Sequence, residues 1–509
     1  MKNKWMIVIL LGFTPLSQAD VTLPKVIDSK MVLQRDKEVP IWGWADQGEE
    51  VTVQFAGQIK KAMPDASGKW IVKLDPLAAS AESRSMTIKG KNEIKLEDVL
   101  VGEVWLASGQ SNMKLTFGEI VPEEWAYAKA QKDNRLVRAF HVTYNLRSGA
   151  RLDDTIGQWK DCSEIVTAPK SVSAVGFFFA LKLQEKLGVP VAFLDATWNG
   201  RNIETFIPDE GFTSMGLTYR KNSGNNDPKI AEQILASIEA SVHAAREAAA
   251  HGRKLLFIDE MPYGSAENEI HNAMIGPLAP YGIRGAIWYQ GESNRSSLDY
   301  FNKLKALSNG WSAIFQVKDI PILQVQIAPY DYTSINISDN TTLCDNIWGA
   351  QYRAAKEIPG MGVVPAHDTG IDINNIHPRN KRTAGERLAA LALKRQYGRD
   401  VIAAGPSLDH VDIDGPTVVV SFKDVDQGLT TTDGQPPSWF ELSADGRSFV
   451  MADAVISGNT VHVSSSAVLK PKFVRMGWNE TAIPNLADKN GWPAFAFPNE
   501  SSVGRVVEK

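Results

Sequence analysis

Three separate stretches of the sequence hold residues whose types could together hydrolyse an ester. The first is the apolar run Val104–Ala107, which leads through a glycine into Ser111. A serine in a sharp turn at the carboxyl end of a strand has an exposed hydroxyl and a free backbone N–H, as a nucleophile and an oxyanion hole require. A Gly-x-Ser pattern alone is a weak signal, and an ordinary strand-to-helix turn explains it equally well.

The second stretch is the apolar run Ile287–Tyr289, which is followed by Gln290, Glu292 and Asn294. In an open α/β sheet the carboxyl ends of the strands face the binding crevice, so these side chains are expected near Ser111. An amide side chain there could donate to a developing oxyanion. The alternative is a turn whose polar groups bond only to the local backbone.

The third stretch places His377 in a polar loop, just before a helix predicted to begin near Arg382. Pro378 fixes the backbone after it, and an imidazole in such a loop can point into a cleft and act as a general base. Of the eight histidines in the chain, His377 has the setting that best suits this role. A solvated loop histidine is the alternative.

The segments between these stretches alternate between strand-like and helix-like patterns. Short apolar runs are separated by longer stretches with helical spacing, and this alternation predicts an α/β fold, a parallel sheet with helices on both faces. The strand candidates are residues 191–194, 286–289, 322–325 and 362–365, and the helix candidates are residues 174–187, 230–250 and 382–397.

The two ends of the chain alternate apolar and polar residues in short runs, as in Val51–Phe55 and Thr417–Phe422. This period, broken by Gly, Asp and Ser turns, is typical of antiparallel β-structure. The pattern predicts three domains after a leader over residues 1–19. They are a β-sandwich or jelly-roll domain over residues 20–100, an α/β catalytic domain over residues 101–403 and a second β domain over residues 404–509.

Composition and charge exclude several classes of protein. The 509 residues are 43% hydrophobic and 22% charged, which describes a globular chain and not a disordered one. The net charge of −5 and the lack of a basic cluster argue against nucleic acid as a partner. No His, Cys and carboxylate residues have metal-site spacing, so neither metal nor cofactor is expected. Cys162 and Cys344 are too few for a disulfide framework and are expected to be core thiols, with a single bridge between them as the alternative.

Residues 1–19 have the pattern of a secretory signal. Lys2 and Lys4 precede the apolar run Trp5–Phe13, and the small-residue ending Ser17–Ala19 follows it. The apolar run is shorter than the roughly 20 residues that span a bilayer. We therefore expect an exported protein, periplasmic or extracellular, without a membrane anchor. The oligomeric state is left open.

Several blocks of the sequence resemble the sialate O-acetylesterases, a family of the SGNH (GDSL-like) hydrolase superfamily. They are Gly109–Met113, Trp288–Asn294 and Ile376–Lys381, with partial agreement at Gly188–Pro190 and Thr197–Gly200. The resemblance spans most of the chain. It implies a flavodoxin-like parallel sheet, an acetylated carbohydrate as substrate, and serine chemistry that needs no cofactor.

The resemblance assigns the reaction to two residues. Ser111 would attack the acetyl carbonyl, while His377 takes its proton and returns it to the leaving sugar oxygen. Asn374 stands where the family has the Asp of an Asp-x-x-His motif, so the orienting carboxylate is open. Asp372 or Asp368 could take that part, and a Ser-His pair helped by a backbone carbonyl is a further alternative.

The resemblance also implies an oxyanion hole, built from the N–H groups of Ser111 and Gly200 and the side-chain amide of Gln290. An Asn-Gly pair stands where the family has paired glycines, so the N–H that completes the hole is not settled. Glu292 and Asn294 would contact and orient these residues without touching the substrate, and turn formation is the alternative role for both.

The motif blocks recognise an acetyl ester and do not name the sugar. Sialic acid is implied by the family, and xylan, mannan and other plant or algal glycans are alternatives. A glycoside hydrolase would use paired carboxylates, for which Glu292, Asp368 and Asp372 are available. A carbohydrate-binding protein without catalysis is the other minor alternative, because two β domains flank the core.

Overall fold

A computed structural model describes residues 20–144, 147–219, 267–332, 343–370 and 372–501. The signal segment expected over residues 1–19 and the helix expected over residues 230–250 lie outside these ranges.

Short strands fill the N-terminal part of the chain. They are β1 (Val32–Gln34), β2 (Val39–Trp44), β3 (Val51–Phe55), β4 (Gln58–Ala62), β5 (Lys69–Leu74), β6 (Ser80–Lys89) and β7 (Glu93–Gly109). Antiparallel pairing joins β4 to β3, β3 to β6 and β6 to β7, and a separate antiparallel pair joins β2 to β5. Buried residues alternate with more exposed ones along β3 and β5, as the period-two pattern predicts.

The central sheet is built on the second half of β7. Its other strands are β8 (Val137–Val142), β9 (Gly157–Asp161), β10 (Val191–Thr197), β11 (Gly285–Tyr289), β12 (Ile322–Val325) and β13 (Met361–Val364). The order is β13-β12-β11-β7-β10-β8-β9, with parallel pairs except at β8–β9. The six parallel strands thus run 2-3-1-4-5-6 in chain order, which differs from the flavodoxin-like order 2-1-3-4-5. The predicted strands at β10 to β13 are confirmed.

Eight α-helices of four or more residues lie among the described residues. They are α1 (Ser111–Lys114), α2 (Pro122–Lys129), α3 (Cys162–Thr167), α4 (Ala174–Leu187), α5 (Asp209–Ser214), α6 (Tyr300–Ile314), α7 (Gly349–Glu357) and α8 (Arg382–Tyr397). The bounds of α4 and α8 are those predicted. α4 begins at a Ser173 side chain that accepts from the Gly176 N–H, and it ends at Gly188 in the left-handed conformation.

Helices cover both faces of the central sheet. Gly176 of α4 lies against Phe193 of β10 and Ala107 of β7, so α4 covers the face that carries these two side chains. Trp288 of β11 pairs with the residue that follows Ala107, and it therefore points to the opposite face. There it packs edge-on against Trp311 of α6, with ring centroids 5.7 Å apart. The expected mixed α/β architecture is confirmed.

The C-terminal part of the chain returns to antiparallel β-structure. Its strands are β14 (Ser407–Asp414), β15 (Thr417–Lys423), β16 (Leu429–Thr431), β17 (Phe440–Ser443), β18 (Val450–Met451), β19 (Asp453–Ser457), β20 (Thr460–Ser464), β21 (Phe473–Met476), β22 (Leu486–Asp488) and β23 (Phe497–Ser501). One four-stranded sheet has the order β14-β15-β20-β19 and another has the order β18-β17-β21-β23. Side chains from both sheets, including Val420 and Phe440, meet in one buried apolar cluster.

Strand β7 runs without a break from the N-terminal strands into the central sheet. The expected domain division at residue 100 falls inside this strand. Glu103, fully buried within it, accepts hydrogen bonds from Gln34 at 3.1 Å, from Arg35 at 2.5 Å and from Arg284 at 3.0 Å. Gln34 ends β1, Arg35 follows it and Arg284 precedes β11, so one carboxylate links the N-terminal strands to the sheet that carries the site.

Replacing Glu103 by alanine is expected to lower the free energy of unfolding by about 2 to 3 kcal/mol. Arg284 would lose its ion pair with Glu103, and Arg35 would keep only its pair with Asp36; because both arginines are partly exposed, water recovers part of the loss. Urea denaturation followed by circular dichroism measures the change. Glu38→Ala, which breaks an exposed ion pair with Lys73, is the matched control and is expected to have almost no effect. Equal effects of the two substitutions would contradict the linking role.

Both cysteines are free thiols inside the protein, as the sequence analysis expects. Burial raises the pKa of the Cys162 thiol to about 12 and that of Cys344 well above its usual range. In the part of the chain that the structure describes, no helix combines the length and the apolar character needed to cross a membrane.

Candidate active site

Three neighbouring strands of the central sheet end side by side. Gly109 at the end of β7 pairs in register with Thr197 of β10 and with Tyr289 of β11. The carboxyl ends of parallel strands therefore meet at one edge of the sheet, where open α/β folds bind their ligands. The residues that follow these ends within three positions are the expected nucleophile and oxyanion donors, Ser111, Gly200 and Gln290.

The turn between β7 and α1 requires a glycine. Gly109 has φ of 136°, and a Cβ atom on it would lie 2.3 Å from the carbonyl oxygen of Tyr289. The close approach lets the Gln110 N–H donate to that oxygen at 3.0 Å, while the Gly109 carbonyl accepts from Trp198 at 3.0 Å. The chain then enters α1 at Ser111, whose N–H, like those of any first helical turn, has no partner within the helix.

The structure brings Ser111 and His377 into direct contact. His377 Nε2 lies 2.8 Å from Ser111 Oγ, which is hydrogen-bonding distance for a base and its nucleophile. Both residues are half-buried, so the pair has access to solvent and to a substrate. Two residues separated by 266 positions in the sequence thus form the contact that serine esterase chemistry requires.

The loop that carries His377 is held against the segment before α2 and against α2 itself. Arg379 donates from Nη2 to the carbonyl oxygen of Ile120 at 2.7 Å. Glu124 of α2 accepts from the backbone N–H groups of Lys381 at 3.0 Å and of Arg382 at 3.2 Å, at the point where α8 begins. These bonds fix both the loop and the start of the helix.

Asp372 lies in the same loop but bonds within it. Its Oδ1 accepts from the backbone N–H of Asn374 at 3.0 Å, and its carbonyl oxygen accepts from the Asn375 N–H at 3.0 Å. The residue is exposed, and no hydrogen bond between Asp372 and His377 occurs among the described residues. Asp368, the other candidate, forms a bidentate ion pair with Arg387 at 2.6 and 2.7 Å.

Gln290 and Asn294 support the turn that contains Gly200. The two N–H groups of the Gln290 amide donate to the Arg201 carbonyl oxygen at 3.0 Å and to Asn294 Oδ1 at 2.7 Å. An amide nitrogen carries only two hydrogens, so Gln290 has none left for an oxyanion in this arrangement. Asn294 Oδ1 also accepts from the Ile203 N–H at 2.8 Å. Gly200 itself is exposed, with φ of 59°.

A second buried group lies behind the Ser111–His377 contact, and we call it the Asn112 network: Asn112, Lys381 and Glu292. Lys381 Nζ donates to Asn112 Oδ1 at 2.6 Å, and Asn112 Nδ2 donates to Glu292 Oε1 at 2.6 Å. Nδ2 also donates to the carbonyl oxygen of Ile376 at 3.0 Å. The three side chains join the turns after β7 and β11 to the start of α8.

Comparisons with known proteins point to one class of enzyme. The profile of a family described as carbohydrate esterase, sialic acid-specific acetylesterase, matches residues 246–394. The sialate O-acetylesterase of Rattus norvegicus is 27% identical over 420 residues, covering 75% of this chain and 74% of its own. That of Homo sapiens is 26% identical over 421 residues, covering 76% and 73%.

A solved structure extends the similarity to nearly the whole chain. The crystal structure of a carbohydrate acetylesterase from Xanthomonas citri superposes with a TM-score of 0.78 at 28% identity, and the match covers 94% of this chain and 99% of that chain. The chain is a relative of the sialate O-acetylesterases. The resemblance expected from the motif blocks is thereby confirmed, and the protein is an esterase.

Burial sets the charge states in this sialate O-acetylesterase relative. Burial, and then the positive charge of Lys381, lower the pKa of His377 below its ordinary value of 6.5. Burial lowers the pKa of Lys381 to about 7 and raises that of Glu292. The imidazole is therefore neutral near neutral pH, which is the form that accepts a proton from a serine.

Asn112 and Lys381 are site residues that the sequence alone does not indicate. Both lie in blocks that resemble the sialate O-acetylesterases, so the positions were marked, but neither residue type indicates a role by itself. A lysine is almost always exposed, whereas Lys381 is 1% exposed. A lysine buried between two site loops is a signal that only the three-dimensional structure supplies.

Proposed function

We propose that this protein is a carbohydrate O-acetylesterase, similar to the sialate O-acetylesterases, in which Ser111 and His377 cleave acetyl esters on sugars. The observation that carries the proposal is the 2.8 Å contact between Ser111 Oγ and His377 Nε2 at the carboxyl edge of the sheet. The names of the relatives from rat and human, and of the Xanthomonas citri structure, support the same reaction.

The reaction proceeds in two halves. His377 takes the proton of Ser111 as Oγ attacks the acetyl carbonyl carbon, and the tetrahedral intermediate collapses to an acetyl-serine while His377 returns the proton to the sugar oxygen. Water then attacks the acetyl-serine, again giving its proton to His377. Acetate leaves, and the proton returns to Ser111 Oγ.

The oxyanion of each intermediate is held by backbone N–H groups. We assign this role to the N–H of Ser111, in the first turn of α1, and to the N–H of Gly200, in the turn that follows β10. Gln290, expected as a third donor, instead supports the Gly200 turn through the Arg201 carbonyl oxygen. Asn294 supports the same turn through Ile203.

The site is proposed to work with a Ser-His pair. Asp372 was expected as a triad member, but its carboxylate is exposed and bonds the Asn374 backbone, so we give it the role of shaping the loop. The glycoside hydrolase alternative also loses support from these contacts. Asp368 is ion-paired with Arg387, and Glu292 is buried in the Asn112 network.

The surroundings of Gly200 favour a sugar that carries a carboxylate. Arg201 follows Gly200 directly, and its guanidinium lies 5.3 Å from the ring centroid of Trp198. Its Nε is buried without a hydrogen-bond partner in the described structure. Because an arginine binds carboxylates through two parallel N–H groups, we propose an acetylated sialic acid as the substrate class and acetylated neutral glycans as weaker substrates.

Acetate release from a panel of acetylated glycans tests the proposal. The panel holds 9-O-acetyl sialic acid, acetylated xylan, acetylated mannan and a small activated acetyl ester, and free acetate is measured by an enzyme-coupled assay. The highest kcat/KM is expected for the sialic acid derivative. Preference for acetylated xylan would retain the esterase and overturn the choice of sugar, and no acetate from any substrate would overturn the proposed function.

The pH profile of kcat/KM is expected to fall on the acid side with a midpoint below 6.5, because the pKa of His377 is lowered. Only the neutral imidazole accepts the Ser111 proton, so activity is present above the pKa of His377 and is lost as the pH falls through it. The measurement uses an acetyl ester without ionisable groups, so that the enzyme alone titrates. An acid midpoint at or above 6.5 would contradict the assignment.

The finer architecture and the location of the protein are also proposals. We propose an SGNH-type catalytic domain over residues 101–403, with β-sandwich domains over residues 20–100 and 404–509. The facing pair of C-terminal sheets supports the last of these. We propose export on the pattern of residues 1–19, and N-terminal sequencing of the mature protein would test it, with cleavage after Ala19 as the expected result.

A further inference from the structure

The Asn112 network joins the two loops that carry the reacting side chains. Asn112 follows Ser111 directly in the chain, and its Nδ2 donates to the carbonyl oxygen of Ile376 at 3.0 Å. Ile376 in turn directly precedes His377. One amide therefore links the backbone on both sides of the contact between Oγ and Nε2.

The partners of the Asn112 amide determine which way it faces. Below a pH of about 7 Lys381 is an ammonium whose Nζ can only donate, so it faces the amide oxygen, while Glu292 Oε1 accepts from the amide nitrogen. A rotated amide would place N–H against an ammonium and oxygen against a carboxylate. All three side chains are at most 3% exposed, so bulk water does not compete for these bonds.

We propose that Asn112 is a positioning residue for the esterase reaction. Its amide, oriented by Lys381 and Glu292, holds the backbone at Ile376 and so keeps the imidazole of His377 at proton-transfer distance from Ser111. The inference rests on the proposed roles of Ser111 and His377. Asn112 would orient His377 through the backbone that precedes it, whereas the aspartate of a Ser-His-Asp triad orients the histidine by a hydrogen bond to the imidazole ring.

The expected cost of losing this contact follows from geometry. A shift of about 1 Å at a reacting group can lower the rate about 100-fold, because proton transfer needs a narrow range of distance and angle. Substrate binding depends on other groups, such as the Gly200 turn. The loss should therefore appear in kcat and leave KM nearly unchanged.

The experiment compares Asn112→Ala and Lys381→Met with the wild-type enzyme on a small activated acetyl ester. Each substitution is expected to lower kcat about 10- to 100-fold, with KM changed less than about threefold. The rate at which an organophosphorus reagent labels Ser111 should fall by the same factor. This labelling needs the deprotonated serine and therefore reports on the Ser111–His377 contact independently of the acetyl substrate.

Lys381→Met is also tested by the acid midpoint of kcat/KM, which would not change if Lys381 only stabilised the fold. The charges that act on the pKa of His377 are those of Lys381, which lowers it, and of Glu119, which raises it. The groups facing Lys381 are Glu292, Glu124 and Glu119. Removing the lysine charge is expected to move the acid midpoint of kcat/KM upward.

Asn485→Ala is the matched control. Asn485 is a buried amide of the same kind, which accepts from the Ser438 N–H at 2.8 Å and donates to Asp433 at 2.8 Å, both in the C-terminal part of the chain. Its loss should lower the Tm and leave kcat unchanged.

The outcomes separate this inference from the proposed function. Wild-type kcat in a folded Asn112→Ala enzyme would overturn the positioning role, and so would a loss of kcat in Asn485→Ala of the same size. If Asn112→Ala does not fold, Lys381→Met with an unmoved acid midpoint and unchanged kcat would overturn it. Full activity in Ser111→Ala would instead overturn the proposed function itself.

Discussion

Replacing Ser111 by alanine is expected to lower kcat for acetyl-ester hydrolysis by about 10⁴- to 10⁶-fold, with little change in KM. The substitution removes the proposed nucleophile, Oγ, which His377 contacts at 2.8 Å. The proposed oxyanion donors are backbone N–H groups, which the substitution leaves in place. A residual rate above the uncatalysed one is therefore expected, from water attacking an acetyl group that is still polarised.

Steady-state acetate release measures this loss, and mass spectrometry after brief reaction with an activated ester checks its cause. The wild-type peptide that contains Ser111 should gain one acetyl group, and the Ser111→Ala peptide should gain none. Ser163→Ala, at an exposed position in α3, is the control and should react as wild type does. An acetyl group found on another residue would place the nucleophile elsewhere.

The convergence of the site residues could be predicted from the sequence. Apolar runs that end in Gly-containing turns predict parallel strands whose carboxyl ends meet, and β7, β10 and β11 do end in register at Gly109, Thr197 and Tyr289. The helix that follows the base was also predicted with its observed bounds, Arg382–Tyr397. These features depend on local pattern and on general rules of sheet geometry, which a single sequence contains.

The contacts of individual polar side chains could not be predicted in this way. The side-chain amide of Gln290 is a suitable oxyanion donor by residue type, yet its two N–H groups donate to the Arg201 carbonyl oxygen and to Asn294 Oδ1. Arg201 comes from a distant part of the chain, and Asn294 comes from the same turn as Gln290. Asp372 has the residue type and the sequence position of an orienting carboxylate, but its Oδ1 accepts a hydrogen bond from the Asn374 N–H in its own loop. The hydrogen-bond partner of a side chain is often an atom from a distant segment of the chain. The periodicity of a strand or helix contains no information about such partners.

The continuous strand β7 shows the same limit at the level of architecture. The change from alternating to apolar residues near Val101 is real, because the first half of the strand faces solvent on alternate positions and the second half is buried. That change predicts a domain division at residue 100, whereas β7 continues through this position. The pattern of apolar and polar residues depends on what surrounds a strand and not on where the strand ends. One strand that passes from a solvent-exposed sheet into a buried sheet therefore shows the same change of pattern as two strands in separate domains.

Replacing His377 by alanine is expected to lower kcat about 10⁴-fold near neutral pH, since Ser111 then has no base to take its proton. The substitution also opens a cavity beside Oγ, because the imidazole is half-buried against Ser111. Free imidazole added to the assay should enter that space and restore part of the rate, in proportion to the concentration of its neutral form.

Imidazole rescue distinguishes a missing base from a damaged fold. The Ser111→Ala enzyme should gain nothing from imidazole, because the nucleophile is absent and a base alone cannot replace it. His462→Ala, on an exposed position of β20, should keep wild-type kcat and respond to imidazole as wild type does. A His377→Ala enzyme that retains wild-type kcat would show that another group accepts the serine proton, and the Ser-His pair would then have to be abandoned.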